Sequence, residues 1–371
     1  MDNLEMLSHF SNGSRNASVS RREAHIVNFD DPILITGACG FIGFRVVENL
    51  LDRGFRNLRC FVRPISETAK LEALSRGCHD EARIEVIKGN LLSSEDCTAA
   101  TKNVAVIFHL AAGRGEKSFP DAFMNSVVTT RNLLEASRRR DGLRRFLNVS
   151  SFTVYSNKQP GWRVLDESCP IETHPELRAE AYCFAKIKQE EILTEYGKKF
   201  GIPYVIVRPG LVYGPGNEKI AGRVGMDSFG FFMHLGGSNT IPFTYVENCA
   251  DAIVLAGLKR GIEGQVFNVV DDDLPSSREF LRLYKRHVRK FSSLYIPHLM
   301  SYAFCALWER YSRWSGGQLP QTFNRRRWHA SWKKTHYTNE KLKTLGWAPK
   351  VATVEGLRRH FESCRETEAN A

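Results

Sequence analysis

The chain has 371 residues, long for a single hydrophobic core, which points to a main domain with a second lobe. A composition of 42% hydrophobic and 25% charged residues is that of a soluble globular protein and excludes a chain disordered throughout. Lys and Arg number 52 against 41 Asp and Glu, an excess that suits an anionic ligand, a membrane surface or nucleic acid without choosing among them.

Met1 to about Asp30 is rich in Ser, Asn and Arg and lacks the apolar core of a signal peptide, so a disordered or loosely docked tail is expected over 1–30. The sequons at Asn12 and Asn16 gain no role without a secretory signal. The nine Cys are scattered, with no C-x-x-C pair and no His/Cys cluster at zinc spacing. Reduced thiols in a cytosol are expected, and no metal site.

Pro32–Thr36 is a short apolar run suited to a buried parallel strand. Gly37-Ala38-Cys39-Gly40-Phe41-Ile42-Gly43 follows at once, then a predicted helix from Phe44 to Arg53, closed by Gly54. Strand, glycine turn and helix are the context of a dinucleotide fingerprint, in which the backbone approaches a pyrophosphate at a helix N-terminus. The spacing is G-x-x-G-x-x-G, not G-x-G-x-x-G. Alone it fits either that cradle or a tight turn packed for steric reasons.

Leu58–Val62 reads as the second strand. An NAD site usually places an acid at its end, to accept from the ribose 2′-hydroxyl. Here Arg63-Pro64 follow. Arg63 suits a 2′-phosphate, which favours NADP over NAD, or it is a solvated strand end. Ile84–Leu91 is the third strand and its exit, where Asn90 either meets the adenine edge or closes a turn. Val104–Ala112 is a buried fourth strand ending in Leu110, Ala111 and Ala112, over which a cofactor can lie. His109 beside them reads as structural.

Phe123–Arg140 is a predicted helix with Asn125 near its start and three Arg at its end, which complement the dipole. Arg145–Ser151 is a fifth strand running into two hydroxyls. Ligands bind beyond the carboxyl ends of such strands, which places Ser151 toward a substrate. Glu180–Tyr196 is a further predicted helix with Tyr182 and Lys186 one turn apart on one face. An ammonium beside a phenol favours the phenolate and lowers its pKa, a use for a proton carrier; the bland alternative is an ordinary amphipathic helix. Pro203–Gly210 is the sixth strand, leading into a Gly- and Pro-rich loop over 211–216. The alternation of strand and helix from residue 32 to about 210 predicts an α/β fold, a doubly wound parallel sheet with helices on both faces.

Taken together these segments resemble the extended short-chain dehydrogenase/reductase family, also called the NAD-dependent epimerase/dehydratase family. The resemblance rests on Thr36–Gly43, His109-Leu110-Ala111-Ala112, Asn125, Val149-Ser150-Ser151 with Val154-Tyr155, Tyr182 with Lys186, Arg208-Pro209-Gly210 and the motif over 212–216. It continues through Thr244–Ala252, Gly264–Val269 and Leu345–Pro349, in order over about residues 32–362. It implies a Rossmann-type sheet and hydride chemistry with a nicotinamide. Tyr182 would give or take the proton, Lys186 lower its pKa and hold the nicotinamide ribose, Ser151 hydrogen-bond the substrate oxygen, and Asn125 support the site. Gly37, Cys39, Gly40, Phe41, Ile42, Arg63, Asn90, Leu91, Leu110, Ala111, Ala112, Tyr182, Lys186 and Pro209 would contact the cofactor.

The chain also departs from the family pattern. Members that are 4,6-dehydratases carry Asp-Glu just after the catalytic hydroxyl. Here Phe152 and Thr153 stand there, which disfavours a dehydratase and leaves Thr153 with Ser151 as substrate contacts. Ser156 replaces a usual Gly, and Asn90 a usual Asp.

Substrate specificity is expected from about 155–180, 211–245 and 272–340. Lys219 and Arg223 lie in a glycine-rich stretch, and Arg223 is a candidate phosphate contact or a solvated loop charge. Leu294–Trp308 is aromatic and mostly apolar, too short to span a bilayer, and is followed by Trp314, Arg325-Arg326-Arg327-Trp328 and Trp332-Lys333-Lys334. It reads as a core helix followed by a solvated basic face, or as an interfacial membrane patch over 294–334; nucleic-acid binding is not expected.

The expected organisation is a tail over 1–30, an NAD(P)-binding Rossmann domain over 31–215 with a strand returned from about 240–270, and a smaller mixed C-terminal substrate lobe over 216–365. The expected function is hydride transfer on a nucleotide sugar by an NAD- or NADP-dependent oxidoreductase or epimerase in surface polysaccharide synthesis. Its setting is cytoplasmic, with peripheral membrane contact left open, and the family implies a homodimer. Two alternatives remain: a membrane-associated 3β-hydroxysteroid or sterol dehydrogenase, and a dinucleotide-binding regulator without catalysis.

Overall fold

Seven short strands build one parallel sheet: β1 (Ile33–Thr36), β2 (Asn57–Val62), β3 (Arg83–Lys88), β4 (Val106–His109), β5 (Arg145–Val149), β6 (Tyr204–Pro209) and β7 (Val266–Val269). Their order across the sheet is β7-β6-β5-β4-β1-β2-β3. The computed structural model describes residues 25–77, 82–113, 118–139, 142–156, 164–218, 220, 222–228, 231–316, 318–319 and 323–369. Lys219, most of the expected tail and both sequons lie outside them. Every residue of β1, β4 and β5 is buried, as a sheet covered on both faces requires.

The order reverses direction between β1 and β4, where chains leave toward opposite faces and a crevice opens at the strand ends. On one face pack α1 (Phe41–Asp52) and α6 (Val246–Leu258). On the other lie α3 (Ser94–Ala100), α4 (Thr129–Arg138) and α5 (Ala181–Phe200), with α2 (Ala69–Gly77) running beside β3. The first face encloses Ile33, Ile35, Val46, Val47, Cys249 and Ile253; the second encloses Leu34, Ile107, Leu133, Phe146 and Leu193.

Residues 25–30 depart from the expected loose tail. His25 bridges to Lys259, Ile26 and Val27 are buried, and Phe29 packs on Phe55, so this short piece is docked on the sheet domain. The expected helix over 123–140 is interrupted: a short helical turn at Phe119–Ala122 leads into a π-helical stretch, Phe123–Val128, before α4. That stretch carries Asn125, whose side-chain amide donates to the carbonyl and to the carboxylate of Asp121.

The second lobe gathers Gly225–Ser228, Phe231–His234 and Ser293–Tyr295 into a small mixed sheet. Around it lie α7 (Ser277–His287), α8 (His298–Trp314), α9 (Arg325–Trp332) and α10 (Thr353–Ala369). The lobe's core is Phe232, Phe243, Phe280, Tyr284 and Phe361. The expectation of a core helix over 294–308 is not met. The segment divides into the strand Ser293–Tyr295 and the start of α8, and the helix turns most of its large apolar side chains outward.

Candidate active site

At the end of β1 the chain turns through Gly37, whose φ of +75° is the left-handed region that favours glycine. The space there is also closed: a Cβ on Gly37 would lie 3.0 Å from the Ala111 amide nitrogen, and one on Gly43 would lie 2.1 Å from the Gly37 carbonyl oxygen. Thr36 and His109 brace the turn from below. Thr36 Oγ1 lies 2.8 Å from His109 Nδ1 and accepts from the Ala111 amide, while His109 Nε2 meets Thr130. Burial holds His109 well below its usual value, at about 3, so it is neutral. The structural reading of His109 stands.

The helix that leaves this turn, α1, has no side-chain cap and no acid in its first turn. Its leading N–H groups and positive dipole end are open to an anion. The cleft above is lined by Gly37, Gly40, Phe41, Ile42, Leu110, Ala112, Ser150, Lys186 and Pro209. Ser150 is buried, and its hydroxyl has no partner among the described residues. A glycine cradle that a Cβ would fill, an uncapped helix start and an unpartnered buried hydroxyl fit a dinucleotide.

Not every expected cofactor residue joins this cleft. Cys39 sits in the turn and Ala111 underlies Gly37 without facing the cavity. Asn90 is a turn residue, its side chain accepting from Leu92 N–H and its own N–H donating to Asp96. Leu91 is buried in the layer beneath, and Arg63 is exposed just past β2.

A second cavity of about 500 Å³ lies between the domain and the lobe, lined by Thr153, Arg178, Glu180, Leu211, Arg223, Met226, Phe323, Arg327 and Trp332. Ser151, Tyr182 and Gly210 line both cavities. The phenol of Tyr182 therefore stands where the nucleotide cleft meets the space for a substrate. Ser151 caps a turn at Phe152–Val154, its oxygen accepting from Thr153 N–H, and its hydroxyl is hydrogen-bonded to the Tyr182 phenol.

The electrostatics differ from the expectation that Lys186 pulls the phenol toward neutrality. Burial drives the Tyr182 phenol up to about 12, with only the Ser151 hydrogen bond pulling it back appreciably. Lys186 is buried as well, which lowers it to about 8 against the opposing field of Glu190. Its Nζ donates to the Val149 carbonyl at 2.7 Å and lies 5.8 Å from the centre of the Tyr182 ring. Desolvation is the largest influence on both groups. One of the three ammonium donors is engaged, which leaves two for a cofactor hydroxyl.

The helix carrying this pair is fixed from behind. Arg208, on β6, grips Glu190 one turn past Lys186 with two hydrogen bonds, 2.9 and 2.6 Å, and both side chains are buried. Asn125 does not join the pair: its amide is engaged by Asp121, although its Cβ abuts the cleft residue Gly113.

Thr153 and Arg223, expected as substrate contacts, line this second cavity together with Arg178, Glu180, Arg327 and Trp332, which fall within the expected specificity segments 155–180 and 272–340 but were not singled out. Arg178, buried at the end of a short turn capped by Ala179 with φ of +53°, donates through its guanidinium to the Thr153 carbonyl and pairs with Glu180. Arg223 donates to the Tyr337 hydroxyl. Within those segments no residue pattern singles these side chains out, and the basic run at 325–327 reads equally well as surface.

The model of the NAD dependent epimerase/dehydratase family matches residues 33–269. The chain belongs to this family. It is an enzyme of the extended short-chain dehydrogenase/reductase type. It is 30% identical over 252 residues to the uncharacterized UDP-glucose epimerase YtcB of Bacillus subtilis, a match covering 64% of this chain and 76% of that protein. It is 29% identical over 252 residues to a trifunctional UDP-glucose 4,6-dehydratase/UDP-4-keto-6-deoxy-D-glucose 3,5-epimerase/UDP-4-keto-L-rhamnose-reductase of Arabidopsis thaliana. That match covers 64% of this chain and 36% of the plant protein, so the chain spans about a third of that relative's length. Among solved structures, UDP-glucuronic acid 4-epimerase from Bacillus cereus, in complex with UDP-glucuronic acid and NAD, matches with a TM-score of 0.68 at 22% identity. The match covers 91% of this chain and 99% of that one and establishes the shared fold.

Proposed function

We propose that the protein transfers hydride at a carbinol carbon of a nucleotide sugar, as an oxidoreductase or epimerase. The observation that carries the reading is the junction of two cavities at Ser151 and Tyr182. A bound nicotinamide dinucleotide supplies the hydride chemistry. Lys186, Ser150 and the α1 turn hold that cofactor. Tyr182 Oη carries the proton to or from the substrate oxygen, and Ser151 donates a hydrogen bond to the same oxygen as its charge changes.

The charge of the second cavity supports a diphosphate. Three Arg, at 178, 223 and 327, line it against one acid, Glu180. A cavity wall with three guanidinium groups and one carboxylate suits an anionic diphosphate better than a neutral sterol, which favours the sugar reading over the sterol one. No acid follows Ser151, which supports epimerisation or simple redox chemistry over dehydration. Arg63, where an NAD site has an acid, supports NADP. A sugar substrate is compatible with work in surface polysaccharide synthesis, and the family resemblance supports a homodimer.

The test is turnover of purified protein with UDP- and GDP-sugars, a 3β-hydroxysteroid as control, and NAD or NADP added. Conversion of a nucleotide sugar, with NADP used more efficiently and Arg63→Ala abolishing that preference, is the expected result. Turnover of the steroid alone would overturn the reading.

A further inference from the structure

Helix α8 is built inside out. Its small side chains face the body: Ser301, Cys305 and Ser312 are 6%, 3% and 1% exposed. Its large apolar ones face away: Leu299 is 79% exposed, Met300 61%, Phe304 50%, Leu307 68%, Tyr311 51% and Trp314 80%. At 100° per residue these six lie within one continuous arc of about 140°, four turns long. Leu294, on the strand just before the helix, adds a further exposed side chain.

One flank of the arc is basic. Arg310 falls inside it, beside Leu299, and makes no ion pair among the described residues. Arg313 and Arg325 follow on the rim, gathered around the carboxylate of Glu309. Over 294–334 the chain has seven Lys and Arg against that single acid, so this segment holds a net excess of six out of eleven for the whole chain.

We propose that α8 seats the enzyme on an anionic lipid surface, with the Leu299–Trp314 arc in the headgroup and acyl boundary and Arg310, Arg313 and Arg325 on lipid phosphates. An apolar arc with Tyr and Trp toward one end and cations on its border is the pattern of a helix lying in the interface plane. At 17 residues α8 does not span, and no helix among the described residues is long and apolar enough to cross a membrane. A second copy of the chain is a poorer occupant, because an antiparallel two-fold contact would bring the same basic flank against itself. Aliphatic Leu299, Met300 and Leu307 give no platform for stacked bases.

The seat lies one layer from the substrate cavity. Phe323 packs on Phe304 and Trp308 of α8 and also lines that cavity, and α9, which supplies Arg327 and Trp332 to its wall, is pinned to α8 by the Trp328 indole N–H donating to Ser301 Oγ. The proposal does not depend on the identity of the sugar.

The experiment is co-sedimentation of the full chain with phosphatidylcholine vesicles, with or without about a third phosphatidylglycerol. Leu307→Glu and Arg310→Glu are the test variants. Val354→Glu is the control, since Val354 is equally exposed, at 81%, on α10. Circular dichroism and cofactor binding check each fold, and light scattering gives the mass. Binding to the anionic vesicles that weakens with salt is expected, reduced on the order of tenfold or more by Leu307→Glu and several-fold by Arg310→Glu, and unchanged by Val354→Glu. No binding at low salt, equal binding to both vesicles, equal binding of Leu307→Glu, or a Leu307→Glu chain that only changes from dimer to monomer would each overturn the proposal.

Discussion

The proposed chemistry rests on two buried groups, Tyr182 and Lys186, and their burial has measurable consequences. Lys186 is lowered to about 8, so it keeps its charge near neutrality and loses it as pH rises through that value. With the Tyr182 phenol pushed to about 12, the phenol stays protonated across the same range. In the direction of ketone reduction, kcat/KM is therefore expected to fall with an apparent pKa near 8, and Lys186→Arg to move that limb to higher pH, as read from the pH profile. His109 makes a different prediction. It stays neutral in the fold down to about 3, below the 6.5 of an unperturbed His. As pH drops below 6.5 the unfolded chain takes up a proton that the folded chain refuses, so stability falls between 6.5 and about 3. His109→Gln is expected to flatten that part of the curve in thermal melts recorded from pH 7 to pH 4. At this scale the sequence was legible where spacing carries chemistry. Ser151, Tyr182 and Lys186 do converge, but their electrostatics were misjudged, because proximity on a helix says nothing about how dry the site is. Arg178 and Glu180 fall in the expected specificity segment 155–180 but were not singled out, because no local pattern shows that Arg178 is buried and bonded to the Thr153 carbonyl.

Elements matter here mainly as clamps. The Arg208–Glu190 pair fixes α5 to β6 with both side chains out of water. Breaking it with Arg208→Met leaves a buried carboxylate alone and is expected to destabilise the fold by about 3–5 kcal/mol in chemical denaturation, with Arg208→Met/Glu190→Leu milder than the single change. The glycine turn is a second clamp. Gly43→Ala would press a methyl group 2.1 Å from the Gly37 carbonyl, which is backbone and has no room to yield. Weakening of cofactor affinity by at least tenfold is expected in titration calorimetry. Six of the seven strands of the sheet were legible from their local pattern, while β7 was expected only through the family resemblance. The π-helical register around Asn125 was not, because nothing in local composition separates it from an α-helix. In α8 hydrophobicity alone was a misleading guide, since its apolar face is wide but turned outward.

At the scale of the whole molecule the two lobes divide the labour: the sheet domain offers one cavity, the lobe completes the other, and both open on a single phenol. Arg223, held by Tyr337 across the lobe, is expected to act in binding alone; Arg223→Ala should raise KM for a nucleotide sugar about tenfold or more while leaving kcat within about twofold in steady-state kinetics. The architecture was predictable from the order of strands and helices, whereas the lobe's cavity wall was not, because it joins residues from positions 151 to 332 that share no motif. The most direct measurement of the central claim is the single-turnover rate of hydride transfer in Tyr182→Phe against the unaltered chain, with a nucleotide sugar that the latter converts and cofactor affinity measured in parallel. The account predicts a rate lower by roughly 10²–10⁴-fold with cofactor affinity retained. A variant that transfers hydride at the rate of the unaltered chain would contradict it.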